Sequence, residues 1–264
     1  MNSVYFASAM LAGIFHVIYK IWFALIFMAI GIVFYPFAWL LVRLKFTRTL
    51  FFLQTYFWWP LLQLFLFYPI KRIKKQGFYF PEGPFVLVAN HQSYLDILAI
   101  FSLMRGRVFF FLGKESLKKF PIIGLFFKAP HLHVPIIREN KSDSSQSLKI
   151  IASRIDDGFP IVIFPEGTQS KMAPVMNPFK AGAFKVAIEK QVPVVPITFL
   201  NNYKLLSKVN KLTGPTRPGI MKVVCHPPIS TRGMVLDDLL SLQEKVQLLI
   251  EQDLREAYPK LYLK

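Results

Sequence analysis

Asn90-His91-Gln92-Ser93-Tyr94-Leu95-Asp96 sets an imidazole and a carboxylate five residues apart. Such a pair can move protons. A carboxylate that meets one ring nitrogen fixes the tautomer and leaves the other nitrogen basic enough to take a proton from a hydroxyl. The same residues also fit a helix start, with Ser93 as N-cap and Asp96 near the third helical position. On this stretch alone both readings stand. A second candidate is Phe164-Pro165-Glu166-Gly167-Thr168-Gln169, which offers a carboxylate, a hydroxyl and a glycine whose neighbouring backbone N–H groups a ligand can approach closely. Taken by itself it is equally a plain turn.

The elements around these residues set where they stand. The apolar run 85–89 reads as a strand ending in Asn90, and 95–103 as the helix that follows. His91 then lies at the carboxyl end of a strand, where open α/β sheets bind ligands. The run 160–164 repeats the pattern in front of Glu166, and 108–112, 133–137, 194–199 and 220–225 have the same short apolar texture. Between and after them, 147–155, 179–190 and 237–258 carry helical periodicity. The alternation predicts an α/β domain with a mostly parallel sheet flanked by helices. Whether the His91 and Glu166 loops meet depends on strand order, which periodicity does not contain.

Composition narrows the class. Of the 264 residues 53% are hydrophobic, and the mean hydropathy of +0.40 points to membrane association. Thirty-two Lys+Arg oppose 15 Asp+Glu, for a net charge of +17. No acidic residue precedes Glu82, yet Lys20, Arg43, Lys45, Arg48, Lys71, Arg72, Lys74 and Lys75 do. Basic flanks beside membrane-length apolar runs suit an anionic lipid surface rather than nucleic acid. Residues 21–42 carry no charge over 22 positions, with Pro36 inside, and are long enough to cross a bilayer as a kinked helix. A second uncharged run, 49–70, is dense in Phe, Trp and Tyr and reads as a re-entrant or interface-lying helix, with a buried helical hairpin as the alternative. The expected division is two membrane-anchoring helices in 1–76 and the α/β domain in 77–264. Cys225 is the only cysteine, which rules out an internal disulfide and a cysteine-based metal cluster. Its apolar run makes it a small buried hydrophobe rather than a nucleophile.

Four blocks in one order then carry a resemblance. They are Asn90 to Asp96, Val134-Pro135-Ile136-Ile137-Arg138, Phe164-Pro165-Glu166-Gly167-Thr168 and Val192-Pro193-Val194-Val195-Pro196-Ile197, with Lys180 at a further basic position. Over about residues 70–232 the chain resembles the lysophosphatidic acid acyltransferases, the PlsC-type glycerolipid acyltransferase family. The resemblance implies transfer of a fatty acyl group from acyl-CoA or acyl-carrier protein to the 2-hydroxyl of 1-acyl-sn-glycerol-3-phosphate, giving phosphatidic acid. No cofactor beyond that co-substrate and no metal is implied. His91 would be the general base and Asp96 its orienting carboxylate. Glu166, Gly167, Thr168 and Gln169 would hold the headgroup, and Arg138 and Lys180 would neutralise its phosphate. Partners would be membrane lipid and the acyl donor, and the enzyme would sit on the membrane with its catalytic domain on the cytoplasmic face.

The chain departs from the family at one place. Gln169 stands where the family usually has arginine, and an amide offers neutral hydrogen bonds where a guanidinium offers a charged fork. That keeps a second acceptor class open, another lyso-lipid or an amino-lipid. A non-catalytic lipid-binding protein of the same fold is the alternative of another class, against which an intact His91 and Asp96 count. His131 and His133 would share one face of a strand but lack a third ligand nearby. The acid-free basic stretch 203–236 suits donor phosphates, an acidic carrier or lipid heads.

Overall fold

The computed structural model describes residues 2–114, 119, 123–128, 134–136, 141–207 and 214–262. The strands are β1 (Ile70–Lys74), β2 (Val86–Ala89), β3 (Phe110–Lys114), β4 (Val134–Ile136), β5 (Ile161–Ile163), β6 (Val194–Phe199) and β7 (Met221–Cys225). They form one sheet in the order β1-β7-β6-β2-β5-β3-β4, with β2 at its centre. Every pairing is parallel except β6 with β7, where Ile197 faces Cys225 and Phe199 faces Val223. The expected mostly parallel sheet is therefore present.

Strand alternation divides the interior into two cores. Phe85, just before β2, and Leu87 and Ala89 within it face one, together with Val162, Val195, Ile197, Val223 and Cys225. Val86 and Val88 face the other, with Ile161, Ile163 and Val194. The first core is roofed by α4 (Tyr94–Leu103) and by the N-terminal helices. The second is covered by α6 (Lys141–Asp156), α7 (Gly182–Glu189) and α9 (Leu239–Ala257), while α5 (Ile123–Lys128) and α8 (Asn202–Leu205) are short connecting helices. A sheet buried on both faces needs near-continuous apolar strands, and β2 and β6 are wholly buried.

β1 is absent from the expected strands. Its sequence, Ile-Lys-Arg-Ile-Lys, lacks an apolar run because it is an edge strand whose basic residues stay exposed, a normal way to blunt a sheet edge. Its pairing with β7, Ile70 with Met221 through Lys74 with Cys225, brings residues before position 77 into the sheet.

The N-terminal region also differs from the expected one. Helix α1 runs Asn2–Arg43, far beyond 21–42, because nothing before residue 21 breaks it; Gly13 is merely tolerated inside. The 49–70 run is α2 (Thr47–Leu53) and α3 (Trp59–Phe65) joined by a π-helical turn, Gln54–Trp58. Pro60 at the start of α3 cannot donate the backbone bond that a continuous α-helix requires. This interrupted helix packs on the first core through Leu50, Phe51, Trp58, Trp59 and Leu62 and leaves Phe52, Phe57, Leu64 and Phe65 exposed. Tyr19 and Trp22 of α1 donate to the carbonyls of Leu66 and Phe65 at 2.5 and 3.1 Å, satisfying acceptors that the end of α3 leaves open. Among the described residues one helix is long and apolar enough to cross a membrane. It is the Met10–Arg43 part of α1, with 11% of its most apolar window buried.

Candidate active site

The carboxyl ends of β2 and β5 lie side by side, because the two strands pair in parallel with Val86 against Ile161 and Val88 against Ile163. The chain leaves β2 through Asn90, whose side-chain amide bonds both ways to the backbone of Phe199 at the end of β6, at 2.9 and 2.7 Å. His91 comes next. Its backbone N–H donates to Glu166 Oε1 at 2.7 Å, and its carbonyl accepts from Ser170 N–H at 2.9 Å. Glu166 Oε2 accepts from Asn177 N–H at 2.8 Å. Both oxygens of Glu166 are thus engaged by backbone, and the carboxylate clasps the two strand-end loops together. Burial pushes its pKa up to about 7, against the lowering effect of those two N–H donors, and the nearby charge of Asp96 adds to the rise.

His91 Nδ1 lies 2.9 Å from Asp96 Oδ2. That oxygen also accepts from the backbone N–H groups of Gln92 and Ser93 at 2.6 and 2.7 Å, and Oδ1 accepts from Asn202 Nδ2 at 2.8 Å. Asp96 is completely buried. Ser93 caps α4, accepting from Leu95 N–H at 3.2 Å and donating to the Leu206 carbonyl at 2.6 Å. The two readings of this stretch are therefore one structure. The helix start fixes the carboxylate through the capping box, and the fixed carboxylate holds the imidazole. A carboxylate can only accept, so Nδ1 carries the hydrogen and Nε2 keeps the lone pair. Phe164 stacks on the imidazole, ring centroids 4.1 Å apart and planes 17° from parallel, and sets its second degree of freedom.

Gly167 has φ +71°, and the side chain of Lys180 passes over it so closely that a Cβ there would sit 3.1 Å from Nζ. Glycine is what lets an ammonium approach this loop. The backbone N–H of Lys180 donates to the Pro165 carbonyl at 2.9 Å, which ties the segment before α7 to the loop. Thr168 is exposed, whereas Gln169 is 6% exposed with Oε1 unpartnered among the described residues. His91, Asp96, Glu166, Gly167, Thr168, Gln169 and Lys180 thus lie on joined loops at one end of the sheet. Arg138 lies outside the described residues, as do His131 and His133. A cavity of about 1060 Å³ lies between α3, β1 and the end of α4 and takes in none of them. Cys225 is buried, and burial pushes its thiol up to about 11, as suits a packing residue.

Two groups escape the sequence reading. Asn202 reaches Asp96 from a turn 106 residues away, and nothing local to either residue signals it. Thr198, His226 and Asp253 form a buried cluster in which Asp253 Oδ2 accepts from Thr198 Oγ1 at 2.7 Å and meets His226 Nε2 at 2.7 Å; Lys75 Nζ lies 3.3 Å from Oδ1. It joins β6, the end of β7 and the segment after β1 to α9.

Comparison with known proteins agrees with the geometry. Residues 70–200 match the acyltransferase family model. A 1-acyl-sn-glycerol-3-phosphate acyltransferase of Chlamydomonas reinhardtii is 36% identical over 65% of this chain and 51% of its own. The Saccharomyces cerevisiae and Mus musculus (alpha) proteins of that name are 32% and 30% identical over 63% of this chain, and over 54% and 57% of theirs. The chain spans about half the length of the curated relatives it matches. In fold it resembles the crystal structure of the Thermotoga maritima 1-acyl-sn-glycerophosphate acyltransferase PlsC, with a TM-score of 0.73 at 22% identity over 93% of this chain and 97% of that one. By these matches residues 70–200 belong to the acyltransferase family, and the chain shares the fold of PlsC.

Proposed function

We propose that this chain esterifies the 2-hydroxyl of 1-acyl-sn-glycerol-3-phosphate at a membrane surface, using an acyl thioester and yielding phosphatidic acid. The observation that carries the reading is the His91–Asp96 pair at 2.9 Å on the end of β2, joined to the Glu166 loop. Nε2 of His91 takes the hydroxyl proton as the oxygen attacks the thioester carbonyl. The tetrahedral intermediate collapses, the C–S bond breaks, and the imidazolium returns the proton to the departing thiolate. Asp96 holds the tautomer and stabilises the imidazolium, as the third member of a triad does. No protein nucleophile is required. General-base help of this kind contributes about 10²–10⁴ in rate.

Glu166 keeps the two loops in register, and the loop itself, with Gly167, Thr168 and Lys180, takes the glycerol-phosphate head. Arg138 supplies a second positive charge to the phosphate. The exposed apolar surface of α1 sits in lipid, the acyltransferase domain faces the cytoplasm, and the donor is acyl-CoA or acyl-carrier protein. A second reading, another lyso-lipid or an amino-lipid acceptor, is favoured by Gln169, a buried amide whose acceptor oxygen is unpartnered among the described residues where a phosphate site would gain from a cation. The deciding experiment crosses acceptors (lysophosphatidic acid and other lysophospholipids) with the two donors, using purified protein. The proposal requires the highest kcat/KM for lysophosphatidic acid and loss of turnover in His91→Ala. Wild-type turnover by His91→Ala refutes the mechanism, and preference for an uncharged head refutes the acceptor.

A further inference from the structure

Three asparagines lie around the sheet end that carries His91, and their amides are used differently. Asn90 bonds both ways to Phe199. Asn201 does the same in the next turn, Nδ2 donating to the Ile220 carbonyl and Oδ1 accepting from Lys222 N–H, at 2.9 and 2.8 Å. Each is a two-sided fastening of backbone. Asn202, completely buried, is one-sided: Nδ2 donates to Asp96 Oδ1, and its own Oδ1 has no partner among the described residues. Burying an unpaired amide oxygen is unfavourable, so a side chain that served only to fill this space would be better apolar. Its one side-chain hydrogen bond among the described residues is with the carboxylate that holds His91. The amide orientation is not ambiguous either, because a carboxylate accepts only and must face the NH₂.

The other three donors to Asp96, namely His91 Nδ1 and the N–H groups of Gln92 and Ser93, all crowd onto Oδ2. They leave the carboxylate free to pivot about that oxygen. A donor on Oδ1 removes the pivot. Asn202 is the first residue of α8 (Asn202–Leu205), and the carbonyl that follows that turn, Leu206, is the one Ser93 Oγ donates to. The turn after β6 therefore grips the capping box at two points.

We propose that Asn202 is a positioning residue for the His91–Asp96 pair, fixing the rotation of the Asp96 carboxylate so that His91 Nε2 is aimed at the acceptor hydroxyl. This rests on the general-base reading above. Two variants test it, with melting temperature followed by circular dichroism. Asn202→Leu keeps the branched outline, with more bulk, and removes the donor; kcat is expected to fall about 10- to 100-fold, the loss of one hydrogen bond to a charged group, with acceptor KM unchanged. Asn202→Asp puts a carboxyl against Asp96, and the two share a proton. Among the described residues, the ionisable groups that interact with Asp96 are His91 and Glu166. The introduced carboxyl donates when protonated and repels when ionised, so the variant is expected to lose activity as pH rises, where a general base gains it. Asn201→Ala is the control: it loosens the turn without touching Asp96, and is expected to lower the melting temperature while keeping kcat. Wild-type kcat in Asn202→Leu, an equal kcat loss in Asn201→Ala, or an ordinary rising pH profile in Asn202→Asp overturns the assignment. His91→Ala separates the two levels. If it stays active, the general-base reading falls; if it is dead while Asn202→Leu is normal, only the role of Asn202 falls.

Discussion

Asp96→Asn separates a catalytic carboxylate from a helix cap. Four hydrogen-bond donors converge on Asp96: His91 Nδ1, Gln92 N–H and Ser93 N–H on Oδ2, and Asn202 Nδ2 on Oδ1. An amide has one acceptor oxygen to offer. With that oxygen in the place of Oδ2 it still accepts from His91, Gln92 and Ser93, but its NH₂ meets the NH₂ of Asn202, donor against donor. With the NH₂ there instead, it opposes the N–H groups of Gln92 and Ser93, and the imidazole can bond to it only by carrying its hydrogen on Nε2, the tautomer that cannot act as a base. In both orientations the negative charge that stabilises the imidazolium is gone, so the variant is expected to lose the general-base contribution, about 10²–10⁴ in kcat, which is about 3–5 kcal/mol of barrier. The capping contribution is far smaller, about 1 kcal/mol, and shifts the melting temperature by about 2–4 °C in a chain of this size. The assay is release of free thiol from the acyl-thioester donor with saturating lyso-acceptor in detergent micelles, beside a thermal melt. A kcat within threefold of wild type, with the melt lowered by those few degrees, would mean that Asp96 only caps α4.

Gln169→Arg tests the acceptor: a cation at this position is expected to lower KM for lysophosphatidic acid and leave an uncharged lyso-lipid unaffected, and an unchanged KM in a variant that still needs Arg138 means that Gln169 does not face the phosphate. Asp253 governs acid stability. Burial raises its pKa, but hydrogen bonds from His226 and Thr198 and the charges of His226 and Lys75 outweigh that and hold the carboxyl below its ordinary value. A depressed pKa contributes stability in full above the unfolded-state value of about 3.9, and that stability is lost as pH falls through the folded-state value. Asp253→Asn should therefore be destabilised by about 3–5 kcal/mol near neutral pH, with the gap to wild type closing below about pH 4; chemical denaturation at pH 7 and pH 3 reads both. Cys225, fully buried with its thiol pushed up to about 11, should resist alkylation at pH 8 in the native state and react on denaturation, and rapid native labelling would contradict its place in the core.

Much of this was legible in short windows. The apolar runs at β2, β5, β6 and β7, the helix after His91 and the Ser93–Asp96 capping box are local patterns, set by backbone geometry over a few residues. The bounds of the expected elements shift by only a residue or two in the structure, apart from α1 and α6, which start earlier, and α7, which starts three residues later. β1 escaped because an edge strand needs no apolar run. The break in the 49–70 helix escaped because its cause, a π turn ahead of Pro60, depends on how both halves pack on the first core.

By itself the sequence determined the chemistry on offer. A histidine and a carboxylate stand five residues apart across a helix cap, a glycine-bearing acidic loop follows a second strand, and an acid-free apolar N-terminus precedes both. Only the tertiary structure decided that these are one site. The strands bearing His91 and Glu166 lie 75 residues apart along the chain, and their adjacency comes from the strand order of a sheet packed on both faces, which no local pattern encodes. The same holds for Asn202, 106 residues beyond Asp96, and for Asp253 under β6 and β7. A side chain's type sets what it can donate or accept; which partner it finds is set by burial of the two cores, summed over the whole chain.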